Sequence, residues 1–454
     1  MEKSHGSGRE RVPRRIRVLF LAWGYSVHAE RGIRPFVEDP EFEVAVVSNH
    51  NYAFAGAQYI PLTDAAEKKT LVDGLLSRER EEAEARRARG LAIRARRSGE
   101  RAARAVRIAR MLNRFRIRDV ALLRRIVNSM DLVYEMELAL RDGDILLRAA
   151  KEFRPEVVFL QTLLYPCYLA ALLPRRVPQV VSFWNGDATW WDEWTGTDRL
   201  MKKAIVTTCA RRATAITVNS RTAFEACRRY GIPEERVHLV RYPQTDLARF
   251  TPLPREESRR ALGIRERRVV LCPRGLGGYL NSDVIVEASP AVLARHPDTL
   301  FLFVSGVGRE TELEGHRSRA RGLGTAARFR WEGQVPPEAM PLYYGAADLM
   351  VSVSSRDSLP NCMLEAMACA VPVVMGDIPA IREWVEDGVT GFLVPPRSPE
   401  ALAARIAEVF ELPSLRLDAV ARGNLERVRR EADSGRNAAR VKEIVRRTAK
   451  GTAS

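Results

Sequence analysis

Residues 352–396 read SVSSRDSLPNCMLEAMACAVPVVMGDIPAIREWVEDGVTGFLVPP. An apolar strand ending at Val353 runs into a polar loop, and Pro360 stands where the first turn of a helix opens. Its fixed φ suits that turn, and its missing N–H is not needed there. The spacing predicts a helix beginning near Asn361 whose unpaired first amides point back at the loop. With the helix dipole they make a site for an anion. Asp357 lies in the loop, and Glu365 one turn inside the helix, eight residues later. A carboxylate so placed accepts two hydrogen bonds from a vicinal diol such as a ribose.

Outward from this passage the chain alternates short apolar runs with helix-like sequence. Ile16–Ala22, Val44–Ser48, Val157–Leu160, Val180–Phe183 and Ala215–Val218 read as buried parallel strands. A proline-rich break follows at Tyr242–Arg255, with Pro243, Pro252 and Pro254. The alternation then restarts with Val269–Leu271, Leu300–Val304, Leu349–Val353 and Val371–Val374. Two doubly wound parallel sheets joined by a hinge account for this order, with ligands bound beyond the carboxyl ends of the strands.

The chain has 454 residues, enough for two cores of ordinary size. Apolar residues at 46% and charged residues at 29% suit a globular protein rather than a disordered or fibrous one. Cys167, Cys209, Cys227, Cys272, Cys362 and Cys369 form no C-x-x-C pair and lack metal-ligand spacing with the six histidines, so reduced thiols in the cytoplasm are expected. Met1–Arg15 is polar and basic, unlike a signal peptide. The longest uncharged stretch, Val157–Leu173, is broken by Gln161 and Pro166 and falls short of a membrane span.

The formal charge of +16 is concentrated, for Arg78–Arg125 holds 17 arginines and six acids, a surplus of 11. Ile108, Leu112, Phe115, Leu122 and Ile126 share one helical face, and Arg107, Arg110, Arg114, Arg118 and Arg125 line a neighbouring one. Residues 65–150 therefore read as a helical, arginine-rich insertion in the first domain. Its arginines either pair with acids of the protein or face an anionic membrane surface. Nucleic acid is not expected as a partner, because aromatic residues for base stacking are nearly absent.

The 352–396 passage resembles the acidic E-x7-E segment of the family-4 retaining glycosyltransferases of the GT-B fold, with Asp357 in place of the first glutamate and Glu365 as the second. Leu364–Ala368, Pro372 and Asp387–Val394 match as well. The resemblance implies an α/β protein of two Rossmann-like domains facing across a cleft. Residues 1–245 would form the acceptor side, with the insertion at about 65–150, and 246–430 would hold the nucleotide sugar. A helix within 431–454 would cross back to the first domain. Glu365 is then expected to bind the nucleotide ribose, and the loop around Asp357 to touch the donor sugar, with Pro360, Asn361 and Cys362 at the helix terminus.

Arg274, after the strand ending at Cys272, resembles the arginine that neutralises the donor diphosphate, a task its forked guanidinium suits. The family's lysine five or six residues later is missing. Tyr279, Leu280 and Asn281 stand there, so Asn281 or another basic group must compensate. Gly306 matches a glycine-bearing turn, and Val335 belongs to a segment resembling the loop that meets the nucleobase.

In the first domain the likeness is looser. Gly24 resembles the glycine loop that lets backbone approach the phosphates, although an ordinary strand-to-helix turn accounts for it as well. Trp184-Asn185-Gly186-Asp187 stands where many relatives carry a His-Gly-x-Asp-like motif; Asp187 is retained and joins Arg274 and Asp357 as the expected catalytic set. His28, Trp184 and Trp190 are candidates for the acceptor side, and core packing explains the tryptophans equally.

The activity implied is retaining transfer of a sugar from a nucleotide-diphosphate sugar, UDP rather than GDP, to an acceptor hydroxyl. No metal and no cofactor are expected, since no D-x-D motif ends a strand, and the acceptor is not legible. A sugar-nucleotide epimerase and a non-catalytic, basic membrane-binding scaffold are the rival functions. The expected location is cytoplasmic, with peripheral contact at the inner face of the membrane.

Overall fold

The computed structural model describes residues 14–22, 27–52, 54–62, 130–163, 167–184, 196–242, 245–304 and 310–451. The face proposed for Ile108–Ile126 and the arginines of 78–125 lie outside these, as do Gly24, Asp187, Trp190 and Gly306.

The first domain begins with β1 (Ile16–Leu21), α1 (Val27–Val37), β2 (Phe42–Ser48) and β3 (Ala57–Pro61). It continues through α2 (Met130–Phe153), β4 (Val157–Leu160), β5 (Gln179–Phe183), α3 (Gly196–Arg212), β6 (Ala215–Val218), α4 (Arg221–Arg229) and β7 (Val237–Leu239). Its strands form one parallel sheet in the order β3-β2-β1-β4-β5-β6-β7.

The second domain comprises α5 (Arg255–Leu262), β8 (Arg268–Cys272), α6 (Ser282–Arg295), β9 (Thr299–Val304), α7 (Glu310–Gly322), β10 (Phe329–Glu332) and α8 (Met340–Ala346). There follow β11 (Leu349–Ser352), α9 (Asn361–Ala368), β12 (Val373–Gly376), α10 (Pro379–Arg382), β13 (Phe392–Val394), α11 (Pro399–Glu411) and α12 (Ser414–Glu431). The second parallel sheet runs β10-β9-β8-β11-β12-β13. Both orders reverse direction once, between β1 and β4 and between β8 and β11. A doubly wound sheet opens its ligand crevice at such a point, at the carboxyl ends of the strands.

The central strands are apolar because helices cover both of their faces, and β4, β5, β6, β9, β11 and β12 are buried throughout. The edges differ. β3, β7 and β10 are only partly buried and carry no continuous apolar run, so they go unmarked in the sequence. The strand read at Val371–Val374 is shifted to Val373–Gly376, since Pro372 has no N–H for a ladder.

One boundary needs correction. The stretch read as an insertion to residue 150 ends in α2, which is part of the domain itself: Leu146, Ala149 and Phe153 pack with Leu19, Leu21, Val158 and Leu160. It is the crossover helix that a parallel β4 requires.

The last helix, α13 (Ser434–Ala449), lies on the first sheet. Ala438, Val441 and Val445 pack with Val18, Phe20 and Phe159, while Lys442 bonds Asp39 at 2.8 Å and Arg446 bonds Glu41 at 2.7 Å. The two passages between domains run side by side, with Thr245 donating its N–H to Ala432 at 3.3 Å and accepting from Ser434 at 3.0 Å. Among the described residues no helix is long and apolar enough to cross a membrane.

Candidate active site

The loop after β11 and the start of α9 build the floor of the cleft. Pro360 sits one residue before the helix as its cap, rather than in its first turn, and its carbonyl accepts from Met363 N–H at 3.1 Å. The loop is held from several sides. Asn281, in a left-handed conformation (φ 50°) that asparagine tolerates, donates its side-chain amide to Val353 O at 2.8 Å and to Ser355 Oγ at 2.6 Å. Ser355 N–H donates to Tyr279 O at 2.8 Å. A Cβ at Gly376 would come 2.6 Å from Ser354 O, so glycine alone lets the end of β12 pass beneath.

Arg274 and Asp357, from the loops that follow β8 and β11, form an ion pair with side chains 22% and 7% exposed. Burial alone would lower the Arg274 pKa, but Asp357 outweighs it and raises the pKa above its ordinary value, so the cation is permanent. Beside it the Cys362 thiol is pushed up to about 11, chiefly by burial, and stays neutral. Asn281, by contrast, is committed to the loop. The cation missing from the usual lysine position is therefore not replaced there.

Glu365 is buried and receives two hydrogen bonds, from Arg31 of α1 at 3.0 Å and from the Tyr344 hydroxyl of α8 at 3.0 Å. Burial, then the Glu365 charge, pushes the tyrosine pKa well above 10, so Tyr344 remains a donor. Neither partner is signalled by a motif, because Arg31 lies 334 residues from Glu365 and Tyr344 reads as an ordinary core aromatic. The structure also brings His28 to the helix terminus, with Nδ1 2.9 Å from the Asn361 amide nitrogen and its ring edge-on to Trp184 at 5.7 Å. Val335 packs against the second-domain core.

More polar contacts tie the domains together. Ser358 Oγ donates to Asn219 Oδ1 at 2.6 Å and lies 2.9 Å from Ser220 Oγ. The Glu383 carboxylate, after α10, accepts from Arg221 N–H, Thr222 N–H and Thr222 Oγ–H, each at 2.7 Å. An acid from one domain thus caps a helix of the other. Among the described residues no group of three or more His, Cys, Asp or Glu is placed to hold a metal ion.

Burial, with Arg31 and Arg274 adding to it, holds the His28 imidazole down at about 4, against 6.5 for the free side chain. The unfolded chain therefore binds this proton more readily than the fold does. The neutral-histidine contribution is whole above pH 6.5 and is lost as the pH falls toward 4. His28→Gln is expected to lose less stability than wild type over that interval in urea titrations. Parallel losses would show that His28 is not held neutral.

Residues 254–425 match the model of the glycosyl transferases group 1, and residues 77–242 that of glycosyltransferase family 4. The second match takes in the arginine-rich segment, which by motif alone falls outside the likeness. Among curated relatives, a D-inositol 3-phosphate glycosyltransferase of Geodermatophilus obscurus is 39% identical over 40% of this chain and 42% of its own. One of Thermobispora bispora is 31% identical over 54% and 58%. The chain spans about half the length of the curated relatives it matches. Among solved structures, a glycosyltransferase from Rickettsia africae superposes with TM-score 0.66 at 14% identity, covering 96% of this chain and 99% of that one. Anabaena HepE in complex with UDP and glucose gives 0.66 at 15%, covering 95% and 99%. At such identities the likeness is one of fold, and the fold is GT-B.

Proposed function

The chain belongs to the family 4 glycosyltransferases by both of its domains, and on that premise we propose that it transfers a sugar from a nucleotide-diphosphate sugar to an acceptor hydroxyl, with retention at the anomeric carbon and without a metal. The observation that carries this reading is the half-buried Arg274–Asp357 pair beside the α9 N-terminus, with the buried Glu365 one turn further on. Arg274 and the first amides of α9 face the leaving diphosphate and stabilise the charge that grows on it as the glycosidic bond breaks. Glu365 takes the ribose hydroxyls, and the loop at Asp357 takes the sugar. The acceptor oxygen approaches from the face that the diphosphate leaves, and the departing phosphate takes its proton, so no side-chain base is required. The UDP bound by the HepE fold relative makes uridine donors the first choice.

The test incubates the protein with UDP-glucose, UDP-N-acetylglucosamine and GDP-mannose, with and without EDTA, and follows nucleoside diphosphate release. One donor should turn over slowly to water, unaffected by EDTA, and the freshly released sugar should keep its α-configuration by proton NMR. Release of the β-anomer would sink the retaining assignment. No turnover of, and no thermal stabilisation by, any nucleotide sugar would sink the transferase.

A further inference from the structure

We propose that Arg31 is the second cation of the donor diphosphate site, supplied across the cleft by the first domain; the inference rests on the donor reading above and adds a residue to it. A diphosphate between nucleoside and sugar carries a negative charge on each phosphate. On the second-domain side Arg274 faces it, but Asp357 is bonded to that arginine and offsets its charge. Residues 246–430 contain no lysine. Asn281, at the position where a cation is wanted, has spent its amide on Val353 O and Ser355 Oγ. Counting Arg274, Asp357 and Glu365, the site has one more acid than base and would repel its own ligand.

Arg31 corrects that balance. It lies one turn into α1, the helix that follows β1 at the crevice of the first sheet, and its Nη1 is 3.0 Å from Glu365 Oε1. Its side chain is 23% exposed and that of Glu365 9%, so the pair is screened by protein but not sealed from the cleft. His28, one turn before Arg31 on α1, reaches the same end of α9, with Nδ1 2.9 Å from the Asn361 amide nitrogen, so the start of α1 lies against that helix terminus. A guanidinium has five N–H donors. One bond to Glu365 leaves the others available and fixes the plane from which they act. A carboxylate has about four acceptor sites, so Glu365 can hold Arg31, Tyr344 and a ribose diol at once. Arg356 is the other candidate, being next to Asp357, but its guanidinium lies over the Tyr279 ring, 5.0 Å from the centroid.

A residue that only steadies Glu365 and one that binds phosphate differ in what they do to a ligand lacking phosphate. UDP affinity is measured by titration calorimetry and uridine affinity by ligand-observed NMR, with GDP and guanosine alongside, on wild type, Arg31→Gln, Arg31→Lys and Arg356→Gln. Arg31→Gln should weaken UDP about 10- to 150-fold, the range for a lost bond to a charged group, and leave uridine within about twofold. Arg31→Lys should recover part of the UDP loss. UDP binding should also lose part of its salt dependence in Arg31→Gln, the rest coming from Arg274. Equal loss of UDP and uridine would reduce Arg31 to a support for Glu365. Unchanged UDP binding in Arg31→Gln, or the loss appearing in Arg356→Gln instead, would overturn the assignment while leaving the transferase standing. Wild type that binds neither diphosphate would remove the donor reading and this inference together.

Discussion

Glu365→Ala is expected to abolish transfer in a protein that still folds. The carboxylate is 7% exposed and is the acceptor for both Arg31 and Tyr344. On the ribose role proposed for it, removing the carboxylate should weaken donor binding by about 1.5–3 kcal/mol, roughly 10- to 150-fold. It also leaves a buried tyrosine hydroxyl without its acceptor, at a cost of about 1–3 kcal/mol of stability. Both effects should appear in one preparation, as a lower melting temperature and a weaker UDP isotherm. Glu365→Gln keeps the shape and one acceptor, so it should recover stability more than affinity. A Glu365→Ala protein that binds UDP as wild type does would end the ribose assignment, whatever its stability.

Arg274→Met should carry the larger stability effect. Asp357, with a side chain 7% exposed, would keep its charge and lose its cation. Breaking such a pair from one side costs about 3–5 kcal/mol, and the lower end applies because Arg274 is itself about a fifth exposed. The double variant Arg274→Met, Asp357→Leu replaces the pair by apolar groups and should regain most of that stability. It should not regain turnover, since on the proposed reading the diphosphate has lost the cation that faces it. Guanidinium titrations of the single and double variants decide this. Equal stability of the two would show that the pair does not organise the loop, and full turnover in either would place the diphosphate elsewhere.

The signals that survived from sequence to structure share a physical cause. Strands covered by helices on both faces must be apolar along their whole length, so β4, β5, β6, β9, β11 and β12 announce themselves as uninterrupted runs. The loop-to-helix passage through Asp357, Pro360, Asn361 and Glu365 was legible too, because capping and carboxylate spacing are local and their geometry follows from a few consecutive residues. The edges β3, β7 and β10 were not, since a half-covered strand has no need of a continuous apolar run.

Pairing across the cleft lay beyond reach for a different reason. His28 with Asn361, Ser358 with Asn219, and Arg31 with Glu365 are separated by 333, 139 and 334 residues. No periodicity links such positions, and each side chain alone has an ordinary surface or core explanation. The stretch from 352 to 396 by itself determined the loop-to-helix turn that brings Asp357 and Glu365 together and the doubly wound domain around it, on which the proposed donor site rests. Which groups of the first domain complete that site was decided only when α13 packed back on the first sheet and Glu383 capped α4. Those contacts set the distance across the cleft. A hydrogen bond falls away within a fraction of an ångström, so the partners of Glu365 exist only at that distance.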